Sequence, residues 1–263
     1  MLKLIFYIIT FFILSIEIGI ASDDVIQFLD SKSDEYATMS NTIWSLAELG
    51  YQEEKTSQLM QSHLKEENFS VNDGVAEMPT AFIASYGSGR PIIAILAEMD
   101  ALPGLSQDAK PERRIIREQM PGHACGHNLF GTGSIAASVA VKNWLTETGT
   151  TGTIRLYGTP AEEGGSGKVY MVRAGLFHDV DIVIHWHPSD KNDASPSSSL
   201  ANKSAKFRFY GIAAHAAAAP EKGRSALDAV ESMNFMVNLM REHLPESARI
   251  HYIITNGGAA PNI

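Results

Sequence analysis

The sequence has little sulfur chemistry to fall back on. Cys125 is the one cysteine in 263 residues, so an internal disulfide is excluded and the fold must stand on its apolar core. Positive charge is also in deficit. Twenty-one Lys and Arg face 30 Asp and Glu, a net charge of −9, which argues against a nucleic-acid backbone as partner. A phosphate loop is missing too: in "GGSGK" Glu162 stands where the pattern requires glycine and Val169 where it requires Ser or Thr. Finally, the apolar stretch from Leu4 to Ile16 is short for a membrane span, and Glu17 interrupts it. With Lys3 ahead of it and Gly19, Ala21 and Ser22 behind, residues 1–22 are laid out as a secretory signal peptide. The expectation is cleavage near Ala21 or Ser22 and export to a periplasm or beyond; the alternative is an N-terminal membrane anchor.

What is present is the composition of an ordinary globular protein, 44% hydrophobic and 19% charged. Apolar spacing predicts helices over Asp24–Gly50 and Thr56–Glu67. Strands are expected at Thr80–Tyr86 and Pro91–Ala97 around a Gly-Ser-Gly turn, the second apolar enough to be buried on both faces. A tightly packed helix rich in Ala, Gly and Ser follows over Leu129–Leu145. Strands Thr153–Gly158 and Asp181–Trp186 then bracket a helix across Gly167–Gly175. This order predicts an α/β fold, a mixed sheet with helices on both faces. After the Ser-, Pro- and Asp-rich stretch Pro188–Leu200 the pattern restarts: strand Ala205–Tyr210, helix Ser225–Leu244 with a capping-box start, strand Ile250–Thr255. Residues 23–200 thus read as one domain and 201–263 as the first half of a smaller α+β domain, and the chain itself as truncated.

Three strands run into metal-competent residues at their carboxyl ends, where open α/β sheets bind ligands. "IIAILA" leads to Glu98 and Asp100, "TIRLYG" to Glu162 and Glu163, and "DIVIHW" carries His185 and His187. Between them lies "GHACGHN", with His123, Cys125 and His127. Imidazole, thiolate and carboxylate are the common ligands of zinc and its neighbours. Gly126 lets Cys125 and His127 face one cation, while His123 suits a place behind the ligands. In an extended segment Glu162 and Glu163 would point to opposite sides, one to metal and one to substrate as a proton shuttle. Spacing leaves open which of His185 and His187 ligates, with a lean to His187.

In that order, "AEMDALPG", "GHACGHN", "GTPAEEGGSGK", "HWHP", "GIAAHAAAAPEKGRSALDAV" and "ITNGGAAPN" resemble the M20 metallopeptidase and amidohydrolase family, closest to the branch that holds the B subunit of aminobenzoyl-glutamate hydrolase. The resemblance runs from about Asp34 to Ile263. It implies a catalytic α/β domain binding two divalent metals, zinc or manganese, and an inserted ferredoxin-like lid that forms a dimer, with a second copy or a paralogous subunit. Cys125, His127, Glu163 and His187 would be ligands, and Glu162 the general base. Asp100 would stand behind the ligands, whereas Glu98 occupies a position where other branches carry a ligand histidine. His215 would reach a partner's site to stabilise an oxyanion, and Asn262 would contact substrate. The implied reaction is hydrolysis of the amide of an N-acyl amino acid or dipeptide-like substrate. Two other readings compete: a truncated chain that binds metal or a partner subunit without turnover, and a thiol hydrolase with Cys125 as nucleophile.

Overall fold

A computed structural model of the chain describes residues 23–194 and 198–262. The expected signal peptide lies outside the described residues, among which no helix is long and apolar enough to cross a membrane. The chain divides between Asp193 and Ala194 into two compact units.

In the first unit, helical residues 23–31 lead into α1 (Ser33–Leu46), followed by α2 (Glu54–Glu66). Strands β1 (Ser70–Asp73), β2 (Phe82–Ser88) and β3 (Ile92–Glu98) precede the 22-residue helix α3 (His127–Thr148). Then come β4 (Gly152–Thr159), a single turn α4 (Glu162–Gly165), α5 (Gly167–Arg173) and β5 (Ile182–Ile184). The strands form one mixed sheet in the order β1-β2-β4-β3-β5. β2 runs antiparallel to β1 and β4, whereas β3, β4 and β5 are mutually parallel. Register places Glu98 opposite Thr159, so the chains leaving β3 and β4 emerge side by side.

The alternation of β3 explains the two layers. Ile95 and Ala97 pack with Ile43, Met60, Leu64, Ile135 and Val139 of α1, α2 and α3. Ala94 and Leu96, pointing the other way, pack with Tyr157, Phe130 and Met171. The small-residue helix expected over Leu129–Leu145 forms and is longer at both ends, with Ser134 and Ser138 fully buried. Ser134 Oγ donates to the Leu96 carbonyl at 2.7 Å, binding helix to sheet.

The second unit departs from expectation. Its helix α6 (Ala226–Met240) starts as the capping pattern predicts, with Ser225 Oγ accepting the Asp228 N–H at 3.0 Å, and gives way to a 3-10 turn at Arg241–His243 rather than reaching Leu244. The expected strands 205–210 and 250–255 are not formed. Pairing among the described residues of this unit is limited to the isolated bridge Ile212–Arg224. A strand exists through its partner's hydrogen bonds and the face it buries; here Phe207, Tyr210 and Ile253 are exposed. Apolar alternation without a surface to cover does not make a sheet.

Leu156, fully buried in the centre of β4, reports on the core. Leu156→Ala is expected to cost about 2–5 kcal/mol of unfolding free energy, read from the midpoint shift in urea.

Candidate metal centre

The donors converge at the carboxyl edge of the three parallel strands. Gly126 is the N-cap of α3 at φ +83°, and a Cβ there would lie 3.1 Å from Pro188. This glycine therefore allows the turn that presents Cys125 and His127 while the segment after β5 closes over them. His127 opens α3 and is fully buried. Its Nδ1 lies 2.9 Å from the Asp100 carbonyl and 3.1 Å from Asp100 Oδ1, so Nδ1 carries the hydrogen and Nε2 is turned inward. Imidazoles that hold metals are oriented in this way. Asp100, itself buried, also accepts the Glu163 N–H through Oδ2 at 2.9 Å.

Around His127 Nε2 the acceptors crowd. Glu98 Oε2 lies at 3.0 Å, and Glu162 Oε2 and Glu163 Oε1 each lie at 3.9 Å. His187 Nε2 is 3.4 Å from Cys125 Sγ, while its Nδ1 donates to the Pro188 carbonyl at 2.9 Å. Cys125, His127 and His187 form one compact donor set, and Glu98, His127 and Glu162 a second. The Glu162–Glu163 segment is a helical turn rather than the extended piece expected. Glu163 is the more enclosed side chain at 19% exposure against 44% for Glu162, yet both carboxylates reach the same imidazole. In a turn successive side chains diverge less than in a strand, which is why the expected opposition is lost.

His123 lies behind this group, buried, its Nε2 donating to the Ile43 carbonyl at 3.1 Å. Burial and the neighbouring His127 lower its pKa to about 4. His185 sits on the same side as His187, its Nε2 3.5 Å from Glu98 Oε1, and both rings pack on Phe130. His215 and Asn262 belong to the second unit, where His215 Nδ1 accepts the N–H groups of Ala217 and Ala218 and Asn262 gives its carbonyl to Ala216 N–H. Glu98, read from the sequence as metal-competent at its strand end, is only 3% exposed and lies at the centre of the cluster. The partner that escaped the sequence reading is Lys168, which pairs with Glu98 Oε1. The one signal for Lys168 was its place after the glycines of the phosphate-loop-like stretch.

Whether these residues suit a divalent cation can be judged from their spacing and their orphaned atoms. Sulfur and nitrogen donors bound to one tetrahedral ion stand about 3.5 Å apart, and nitrogen and oxygen donors about 3.4 Å or somewhat less. The Cys125–His187 and Glu98–His127 pairs have these spacings, at 3.4 and 3.0 Å. His127 Nε2 and Glu163 Oε1 are buried with no aligned hydrogen bond, an arrangement that a positive charge between them would relieve. The residues fit. Without a cation the same crowding distorts their acidities. Burial lowers the pKa of His127, but Asp100 and Glu98 outweigh it and hold the ring at about 10. Burial, the hydrogen bond and charge of Glu163, and the charges of Glu162 and Glu98 push the Cys125 thiol up to about 12. Burial and the charge of Glu98 raise Glu162 as well. A free thiol so placed is a poor nucleophile at neutral pH; a thiolate here needs a cation.

A mixed α/β sheet that delivers sulfur, nitrogen and carboxylate donors to one edge is an α/β fold with a candidate divalent-cation site at its strand ends. The chain belongs to the peptidase family M20/M25/M40, whose model matches residues 94–254. It is 46% identical to the B subunit of p-aminobenzoyl-glutamate hydrolase from Escherichia coli (strain K12) over 237 residues, 89% of this chain and 49% of that protein. It is 32% identical to human Xaa-Arg dipeptidase, over 89% of this chain and 54% of the relative. The chain thus spans about half the length of the curated relatives it matches. Among solved structures it is similar to the YXEP protein of Bacillus subtilis, described as a dinuclear metal-binding peptidase of the M20 family. That match has a TM-score of 0.53 at 26% identity, covering 61% of this chain and 44% of the other.

The acidities predict the pH dependence of metal uptake. With Cys125 at about 12 and His127 at about 10, both carry protons at pH 7.5. Binding a cation is expected to release about two protons, and affinity to fall as pH is lowered. Calorimetry of zinc binding in buffers of different ionisation enthalpy measures the release; Cys125→Ser should reduce it by about one proton.

Proposed function

We propose that this protein hydrolyses amide bonds in N-acyl amino acid or dipeptide-like substrates, of the aminobenzoyl-glutamate type, with metal-activated water. The observation that carries the reading is the compact donor set of Cys125, His127 and His187 with Glu163 Oε1 3.9 Å from His127 Nε2, these last two atoms buried without an aligned hydrogen bond. The named activities of the E. coli and human relatives, an amide hydrolase and a dipeptidase, support the substrate class.

Of two divalent cations, zinc or manganese, Cys125, His127, Glu163 and His187 would hold one well and the second only weakly; thiolate leans to zinc and the carboxylates admit manganese. Bound there, the cations would supply Lewis acidity and a more acidic water. Asp100 fixes the tautomer and direction of His127. Glu162, half-exposed at the edge of the cluster, accepts the proton of the attacking water and returns it to the leaving amine. His215, by family likeness, stabilises the developing oxyanion in a partner's site and Asn262 contacts substrate, with residues 201–263 as part of a lid that forms a dimer. A paralogous partner is supported by the 30% identity of this chain to the A subunit of the same E. coli hydrolase. Residues 1–22 serve as an export signal in this reading.

Glu162→Gln tests the base. The variant should keep its bound metal and unfolding midpoint while kcat on aminobenzoyl-glutamate falls by a factor of about 10² or more; wild-type turnover in the variant would refute the role. Loss of wild-type activity with chelator, restored by zinc or manganese, separates this mechanism from a thiol nucleophile.

A further inference from the structure

We infer that Glu53 is a positioning residue for Glu162, one jaw of a two-carboxylate clamp on the backbone that carries it. This rests on the proposed role of Glu162. The turn Glu162–Gly165 is bracketed by two non-glycine residues in left-handed conformation, Ala161 at φ 56° and ψ 43° and Ser166 at φ 57° and ψ 43°. Such conformations cost about 1 kcal/mol or more and persist only when the surroundings hold them. Two carboxylates do the holding. Glu53 Oε1 accepts the Ala161 N–H at 2.8 Å, and Asp100 Oδ2 accepts the Glu163 N–H at 2.9 Å. The residues on both sides of Glu162 are thereby fixed from different parts of the chain. Tyr51 Oη donates to the Gly165 carbonyl at 2.6 Å, closing the far end of the turn. Gly50 makes room: a Cβ there would lie 2.9 Å from Ala161 Cα.

Glu53 has no other evident task. It is fully buried, its second oxygen accepts the Thr80 hydroxyl at 3.0 Å, and no ion pair joins it to a basic side chain among the described residues. Burying a carboxylate without a cation is costly. Hydrogen bonds to the Thr80 hydroxyl, to its own backbone N–H and to the strained Ala161 amide are what the position returns. The clamp needs acceptors rather than charge. A glutamine could accept from Ala161 and donate to Thr80, whereas alanine could do neither.

The experiment compares Glu53→Ala, Glu53→Gln and Glu53→Ala combined with Ala161→Gly by kinetics, metal content and amide exchange. Glu53→Ala is expected to lower kcat about 10- to 100-fold, with KM and bound metal unchanged and Ala161 amide exchange accelerated. Glu53→Gln should restore both kcat and protection. Ala161→Gly should recover part of kcat in the alanine background, because glycine adopts the left-handed conformation without strain. Unchanged kcat and protection in Glu53→Ala would overturn the inference. So would loss of metal in that variant, or a Glu53→Gln variant as impaired as the alanine one. If the wild-type chain hydrolyses no amide, the proposed function fails on its own, and Ala161 exchange in Glu53→Ala still decides the clamp.

Discussion

The structure depends on one electrostatic constraint: acceptors that face one another across His127 with too little positive charge between them. His127 Nε2, Glu98, Glu162, Glu163 and the Cys125–His187 pair approach from separate elements. Each would be unremarkable in water. Gathered beside a fully buried imidazole, they repel unless protons or cations lie among them. The raised pKa values of Cys125 and His127, which keep their protons, express the proton solution. A divalent cation satisfies more acceptors at once, and lowers rather than raises the thiol's affinity for its proton.

The sheet makes that crowding possible. β3, β4 and β5 are parallel, so their carboxyl ends open on the same edge, with Glu98 and Thr159 in register. The cost of burying polar groups at such an edge is met by rigid neighbours. α3 is sealed to the sheet through Ser134 and the Leu96 carbonyl, and its first residue is His127. The donor that anchors the cluster is thus continuous with the longest helix of the unit, and the core behind it fixes its position.

Much of this was legible in the sequence where periodicity speaks. The apolar run of β3, the small-residue helix and the convergence of three strand ends follow from local pattern, because a buried strand and a packed helix leave their spacing in the chain. The Cys125-Gly126-His127 turn was legible for a different reason, two metal-competent side chains flanking a glycine. The strands expected at 205–210 and 250–255 were not, since alternation shows that a face could be buried without supplying the partner that buries it. Nor was the pairing of Glu98 with Lys168, which lies 70 residues further along. Glu162 and Glu163 were located but misread as extended. The left-handed residues at Ala161 and Ser166 turn them into a helical turn, and alanine and serine give no local warning of it.

Lys168 shows why the cluster still calls for added charge. Its ammonium pairs with Glu98 Oε1, the oxygen that also faces His185. Burial would raise the Glu98 pKa, but His127, His185 and Lys168 together hold it well below the ordinary carboxylate range. That leaves Glu98 ionised, with Oε2 directed at His127 Nε2. One lysine therefore stabilises one carboxylate and fixes its direction, leaving the other oxygen to pair with the imidazole. Glu162 and Glu163 have no comparable ion pair with a lysine or arginine among the described residues, and Glu163 Oε1 is buried without a hydrogen-bond partner. Charge compensation from lysine and arginine thus ends at Glu98, and the other two carboxylates share only the single buried imidazole of His127.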